Sequence, residues 1–491
     1  MLRYDERPAV SYKQENSCFY IIEHLYTIKY RKNENKCWFI CRMAYNRIKS
    51  VEEGIMKGSA MLIQFNFKNF KSFRDEVSLD LSATKITEHE EHVVEMANDK
   101  LLKIAAIYGA NASGKSNIYE AFKFMSYYVE ESFKFGGESD SRQKADSDYT
   151  RVSPFLFDSK SRSEESTFEV FFVDNSENTG KIYQYGFALQ NDEVVEEWFY
   201  SKAKTARNRY KTIFYRKKGE ELEVNGLLKS SIENIKVALE KETLIVSLGA
   251  KLKISKLKKV RDWFLNNEVV DFGNPAENFF RSQVLPKSFT TSREIQSNVV
   301  KYFASFDNAI CDFKVEEDQQ EIERESAPSY KIDALHKMSD CDEFESIPLK
   351  SESSGTLKMF ALYPSLKEVI DNGGTLFVDE LNARLHPLLV RNIILTFLSP
   401  EINTNHAQMI FTTNDIWQLS NELLRRDEIW LVDKDQDGVS DLYSLADFKD
   451  EDGNKVRRDE ALAKNYLTGS YGAIPALQPM EMLKGRNMDD E

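Results

Sequence analysis

Apolar positions near residue 60 alternate with polar ones. Leu62, Ile63, Phe65, Phe67 and Phe70 form an aromatic stretch of the kind strands use, so a β-rich opening is expected from Met61. An apolar run from Ile104 to Tyr108 then leads into a glycine-containing loop. Beyond it Ile118, Ala121, Phe122, Met125 and Val129 recur at helical spacing. Strand-like runs follow at Thr167 to Val173 and Tyr183 to Leu189. A helical stretch from Leu252 to Leu265 carries Ile254, Leu257, Val260 and Phe264 at three- and four-residue steps. Leu357, Phe360, Ala361 and Leu362 mark another helix, which Pro364 should kink. Residues 375–378, 409–412 and 429–432 read as buried strands. Residues 136–149 read as an exposed polar loop and 315–325 as a solvated acidic connector. No internal repeat or heptad run is evident, so long coiled-coil arms are not expected.

Composition narrows the class. With 491 residues, 41% of them apolar, the chain has ample material for a folded core. The formal charge of -14 argues against a surface that coats nucleic acid throughout, although a local basic patch is compatible with it. No membrane-spanning run or signal peptide is recognisable, and the cytoplasm is the expected compartment. Five cysteines without paired CxxC spacing argue against a closed disulfide framework, and a structural zinc is not expected. Residues 1–60 lack sustained patterning and read as an extension. Either translation starts at Met56 or Met61, or the segment is a short interaction element.

The strongest chemical signal is Gly109-Ala110-Asn111-Ala112-Ser113-Gly114-Lys115-Ser116, followed by Asn117, with strand before it and helix after. Glycines let backbone N–H groups approach phosphate oxygens, and the helix N-terminus adds a field that favours negative charge. In such a loop Lys115 reaches the β- and γ-phosphates, and the Ser116 hydroxyl serves Mg²⁺. Mg-ATP binding is therefore the expectation. A second signal is the buried strand ending in Asp379-Glu380, where consecutive residues can take separate tasks. Asp379 is expected in the Mg²⁺ shell. Glu380 is expected to orient and deprotonate the attacking water, a role worth roughly 10² to 10⁴ in rate. Before this pair, Ser353, Ser354 and Gly355 precede a helix. They form either an ordinary cap or a signature loop that presents a serine to a partner's γ-phosphate.

Taken together, NFKNFKSF at 66–73, the phosphate loop, ESSGT at 352–356, FVDELNARLHP at 377–387, FTTND at 411–415, RRDEIWLVDKD at 425–435 and YLTGSYGAIP at 466–475 carry a resemblance. From Met61 to Pro479 the chain resembles the AAA-type ATPases of prokaryotic defence and abortive-infection systems, with ABC or SMC-like heads related to the OLD-family ATPase domain. The resemblance implies an α/β P-loop NTPase, a mixed sheet flanked by helices. An extra β-strand lobe and a helical insertion at about 200–335 fill the long interval between Ser116 and Ser353, and residues 480–491 form a polar tail. It implies a head-to-tail dimer or higher oligomer that hydrolyses Mg-ATP, with Glu380 and Lys115 catalytic. It also implies an anti-phage sensor or regulator whose nuclease or toxin effector is a separate protein. Asn382 falls in the loop that touches the opposite site, and His386 either belongs to the turn after it or caps the next helix. At the switch position, where relatives often carry histidine, this chain has Asn414, which donates a hydrogen bond but takes up no charge near neutral pH.

Other readings stay open beside this one. A DNA-repair or recombination ATPase would act on DNA directly, through Lys251, Lys253, Lys256, Lys258, Lys259 and Arg261, unless these simply form a solvated helix face. A nucleotide-gated scaffold with little turnover is compatible with Asn414. Asp433 to Gly438 imitates the opening of an EF-hand and a Toprim DxD, but position twelve is Ser444, and a hairpin turn is the simpler reading.

Overall fold

The computed structural model describes residues 60–135, 150–174, 180–204, 209–282, 285–286, 288–306, 309–317 and 330–475. The extension before residue 60, the loop 136–149, the connector from 318 onward and the tail 480–491 lie outside the described residues.

Strands run in the order β1 (Ala60–Lys68), β2 (Val77–Asp80), β3 (Val93–Met96), β4 (Asp99–Leu102), β5 (Ile104–Gly109), β6 (Ser166–Asp174), β7 (Lys181–Gln190), β8 (Glu193–Lys202), β9 (Lys211–Lys217) and β10 (Glu223–Val224). The remainder are β11 (Glu268–Asp271), β12 (Ile310–Glu317), β13 (Tyr330–Lys337), β14 (Phe344–Pro348), β15 (Thr375–Asp379), β16 (Gln408–Thr412), β17 (Ile429–Lys434) and β18 (Ser440–Ser444). The main helices are α1 (Lys115–Glu131), α2 (Lys229–Ala238), α3 (Ile245–Lys251), α4 (Ser255–Leu265), α5 (Pro275–Ser282), α6 (Arg293–Ala304), α7 (Ser354–Asn372), α8 (Pro387–Leu398) and α9 (Leu462–Leu467).

Two large sheets organise these elements. A six-stranded sheet has the order β11-β15-β16-β5-β17-β18, parallel except for the β17–β18 hairpin. A seven-stranded sheet has the order β10-β9-β8-β7-β6-β1-β2 and is antiparallel throughout. The expected mixed α/β P-loop architecture with an extra β lobe is therefore present. The central strands of the parallel sheet are apolar without alternation because both faces are covered.

Helix α1 lies between the two sheets, which explains why most of its circumference is buried. Phe122 on this helix meets Phe65 of β1 at 5.3 Å between ring centroids and Phe377 of β15 at 5.6 Å. Aromatic pairs at these separations add about 0.5–1.5 kcal/mol each beyond area burial. The opposite face of the parallel sheet packs against α7 and α8 through Met359, Phe360, Ile394 and Phe397. Gln408 also joins the sheets: its side chain accepts from Leu62 N–H at 2.7 Å and donates to the carbonyls of Leu62 and Leu102 at 3.0 and 2.9 Å.

The interval expected as an insertion at about 200–335 is not wholly external. It supplies β11 to the edge of the parallel sheet, beside β15. Val315 to Glu317, read from sequence as connector, complete β12 and pair with Tyr330 to Ile332. Their acidic side chains masked a strand whose apolar positions alternate with charges. Within Asp433 to Gly438, Asp433 and Lys434 end β17 and Asp435 to Gly438 turn the chain into β18, so the segment is a hairpin as its Asp-Gly chemistry suggests. Among the described residues no helix is long and apolar enough to cross a membrane.

Candidate functional site

The parallel register places the ends of β11, β15, β16, β5 and β17 along one edge. Asp271 lies opposite Asp379, Thr412 opposite Ile107, and Gly109 opposite Val432. In open α/β sheets the carboxyl edge is where ligands bind.

The phosphate loop leaves β5 and enters α1. A Cβ at Gly109 would sit 2.4 Å from the Val432 carbonyl oxygen, so only glycine fits there. Gly114 caps the helix at φ 119, and a Cβ on it would lie 2.5 Å from Ser440 Oγ. Ala112 also adopts a left-handed conformation, at φ 65. The buried Lys115 ammonium donates to the carbonyls of Gly109 and Ala110 at 2.8 Å each, which folds it back over the loop. Burial lowers its pKa, while Glu380 and Asp379 act in the opposite direction. The Ser116 hydroxyl is exposed at the start of the helix. Ser113 Oγ is buried and makes no hydrogen bond among the described residues. A glycine cradle with an exposed hydroxyl, an internal ammonium and an unsatisfied buried donor fits a phosphate chain with its cation.

Support for this loop comes from Asn117, expected with the loop, from Ser72 in the NFKNFKSF stretch, and from Ser440, which the sequence did not single out. Asn117 Nδ2 donates to Ser72 Oγ at 2.7 Å, and Ser440 Oγ bonds both Ser72 Oγ and the Ser113 carbonyl. Ser440 lies far from the loop in sequence and carried no local signal.

Asp379 ends β15, and Glu380 follows with φ 54, left-handed backbone that glutamate rarely adopts. Thr412 fixes the turn: its hydroxyl donates to Asp379 Oδ1 and accepts the Glu380 N–H at 2.9 Å. Burial first, and then the Asp379 charge, raise the pKa of Glu380, which suits a proton acceptor. Asn414 Nδ2 lies 3.4 Å from Glu380 Oε1, which sets its amide beside the carboxylate. Asn382 accepts from Thr413 Oγ1 at 2.8 Å and is thereby tied to the end of β16 in its own chain.

The serine loop separates into two roles. Ser353 caps α7, its Oγ accepting the Thr356 N–H at 3.1 Å, whereas Ser354 is exposed in the first turn. A Cβ on Gly355 would come within 3.8 Å of the Arg384 carbonyl, which sets this loop beside the turn that follows Glu380. Among the described residues no hydrogen bond joins Ser353, Ser354 or Gly355 to the phosphate loop. His386 caps α8 through Nδ1, which accepts the Leu388 N–H at 3.2 Å; its role here is structural.

Two further charged residues belong to the site. Asp271 has its pKa pushed up to about 6, by burial and then by the charges of Asp379 and Glu277. Its only sequence signal is the apolar run Val269-Val270 ending in an acid, the same form as the run ending at Asp379. Lys358 on α7 donates to the carbonyls of Phe272 and Ala383 and lies 4.1 Å over the Phe272 ring. Burial and Arg384 push its pKa down to about 8. One lysine thus ties the helix behind the serine loop to the turns after β11 and β15.

The basic cluster resolves mainly into internal contacts. Lys258 pairs with Asp262, Lys259 with Asp174, Lys256 donates to the Gly226 carbonyl, and Arg261 donates to the Glu130 carbonyl. Lys251 and Arg261 also face the Phe133 ring.

The family model described as "AAA domain, putative AbiEii toxin, Type IV TA system" matches residues 104–415, the span from β5 through Asn414. No curated protein matches the chain. A solved structure described as the SmcHead bound to the C-winged helix domain of ScpA aligns at 17% identity, covering 78% of this chain and 97% of that one. Its TM-score is 0.35, too low to carry an inference.

Proposed function

Because this chain belongs to that AAA-domain family, we propose that it binds and hydrolyses Mg-ATP between two copies of its head, as the sensor or regulator of an anti-phage defence system. The observation that carries the reading is the single sheet edge shared by the Lys115 loop, the Asp379–Glu380 turn and Asn414. Lys115 would exchange its two carbonyl partners for phosphate oxygens. Ser116 and Asp379 would hold Mg²⁺, whose charge would neutralise the phosphates as the γ-phosphoryl group departs. Glu380, held by Thr412, would orient the water and accept its proton. Ser354 and Asn382 would meet the partner copy, and a separate nuclease or toxin would carry the effector activity.

A second reading, a nucleotide-gated scaffold, is favoured by Asn414, which contacts Glu380 but lacks an ionisable ring. Direct action on DNA has less support, because much of the lysine cluster is engaged within the chain. The deciding experiment is Mg-dependent phosphate release by wild type and Glu380→Gln, with and without duplex DNA, alongside sizing in ATP. Turnover lost in Glu380→Gln together with ATP-trapped dimers supports the ATPase. Tight ATP binding without wild-type turnover supports the scaffold, and a monomer in saturating ATP refutes the shared site.

A further inference from the structure

The turn between β2 and β3 holds a cluster that has no part in nucleotide chemistry. His89, Glu91 and His92 present one ligand atom each, all within 4.8 Å of one another. His89 Nδ1 is 3.3 Å and His92 Nε2 3.7 Å from Glu91 Oε1.

The opposite nitrogen of each ring is already committed. His89 Nε2 lies 2.8 Å from the Asn421 carbonyl oxygen, which can only accept, so this nitrogen carries the proton. His92 Nδ1 lies 3.1 Å from both oxygens of the fully buried Glu428, which as a carboxylate, also accepting the Arg425 N–H, accepts the hydrogen bond of that nitrogen and orients the ring in the same way. In the neutral rings the remaining nitrogens therefore bear lone pairs. Both are turned toward a carboxylate oxygen, and a cation placed among the three acceptors would satisfy them together.

A proton on one ring would serve that ring alone and leave the other lone pair facing the carboxylate, while protons on both would set two imidazolium ions face to face, because the rings are stacked with centroids 4.8 Å apart and planes at 14°. One divalent metal serves both lone pairs and the carboxylate at once. Nitrogen ligands bind zinc at about 2.0–2.1 Å, which sets neighbouring tetrahedral ligands roughly 3.3 Å apart. Two of the three separations are already close to that. His89 sits at φ 51, in left-handed conformation, at the start of the 90–92 turn. A ligating histidine whose other N–H is bound to a carboxylate or a main-chain carbonyl is the usual outer arrangement of such sites. Glu91 borders a hollow of about 470 Å³, so water can reach the remaining coordination positions.

We propose that His89, Glu91 and His92 bind a divalent transition metal, best suited to Zn²⁺, with Glu428 and the Asn421 carbonyl orienting the two rings. The site lies by Glu428, just before β17, at the end of that strand opposite the phosphate edge. It clasps the 89–92 turn to the segments carrying Asn421 and Glu428, and its role is structural. Among the described residues Lys103 donates to the Glu91 and Leu398 carbonyls, Arg425 is paired with Asp427, and Arg426 and Arg458 face Glu88 beside His89.

The test uses the full chain, stripped with chelator and held in excess Mg²⁺ so that oxygen-only sites are filled. Zn²⁺ is measured by equilibrium dialysis, and Co²⁺ by its visible absorption. His89→Asn, which tolerates the left-handed backbone, and Glu91→Gln, at an exposed carboxylate, avoid disturbing the buried His92. Wild type should retain a zinc equivalent that both variants hold at least tenfold more weakly, while their nucleotide binding stays unchanged. Bound cobalt should show bands from nitrogen and oxygen ligands. No retained zinc, equal affinity in wild type and both variants, or a cobalt spectrum due solely to thiolate ligation at the chain's cysteines would each overturn the proposal.

Discussion

Glu380 combines two unfavourable features, a left-handed backbone and a half-buried carboxylate beside Asp379, and two substitutions separate them. Glu380→Gln removes the charge but keeps the strain, so it should stabilise the nucleotide-free protein. The direction follows from linkage. The folded-state pKa is raised, so stability from this group is fully present below the ordinary carboxylate value and declines as pH rises through the raised one. Glu380→Gly relieves the backbone as well. Left-handed conformation costs an ordinary residue about 1–2 kcal/mol, and the extra freedom of glycine when unfolded offsets roughly 0.5–1 kcal/mol of the gain. The glycine variant should therefore exceed the glutamine variant by about 0.5–1 kcal/mol, or about 1–3 °C in Tm for a domain of a few hundred residues. Urea unfolding without nucleotide should show the midpoint rising from wild type to Gln to Gly at constant m. Both variants should be inactive, so that a gain in stability accompanies the loss of turnover. A glycine variant less stable than the glutamine variant would refute the assignment of strain to this residue.

Three further outcomes are expected. Lys115→Ala leaves the loop carbonyls of Gly109 and Ala110 without their ammonium and should weaken ATP binding by at least tenfold in a fluorescent-nucleotide titration; unchanged affinity would remove Lys115 from the phosphate site. Ser353→Ala should cost about 1 kcal/mol in urea unfolding through loss of the α7 cap, whereas Ser354→Ala should leave stability within about 0.5 kcal/mol yet impair ATP-dependent dimerisation, and the reverse pattern would exchange their roles. Lys358, with its pKa pushed down to about 8 from 10.5, binds fewer protons when folded than when unfolded between those values. Wild-type stability should thus gain about 1–2 kcal/mol from this group between about pH 8 and 9.5, and a Lys358→Met protein with the same slope would contradict the assignment.

The nucleotide loop, the Asp379–Glu380 strand and the β17–β18 hairpin were legible because each is a short contiguous pattern whose chemistry is local. Asp271 was not, since its significance arises only when four residues of β11 pair with a strand more than a hundred positions later. Lys358 reads in sequence as the polar face of an amphipathic helix, yet it is buried and holds two loop carbonyls. His89 and His92 lie in a charged stretch that reads as solvated surface, and their tautomers depend on Asn421 and Glu428, distant partners that no local pattern encodes. Ser353 and Ser354 were seen as a pair, but only the helix start decides which of them is the cap.

Gln408 bonds segments that are far apart in the chain. Its amide acts as one more peptide unit, accepting and donating where a neighbouring strand would, and it stands at the start of the strand whose far end holds Thr412. The antiparallel sheet is therefore riveted to the parallel one at two places, by the amide on β16 and by the aromatic contact at Phe122, so that the outer β lobe shares the rigidity of the strand that holds Thr412.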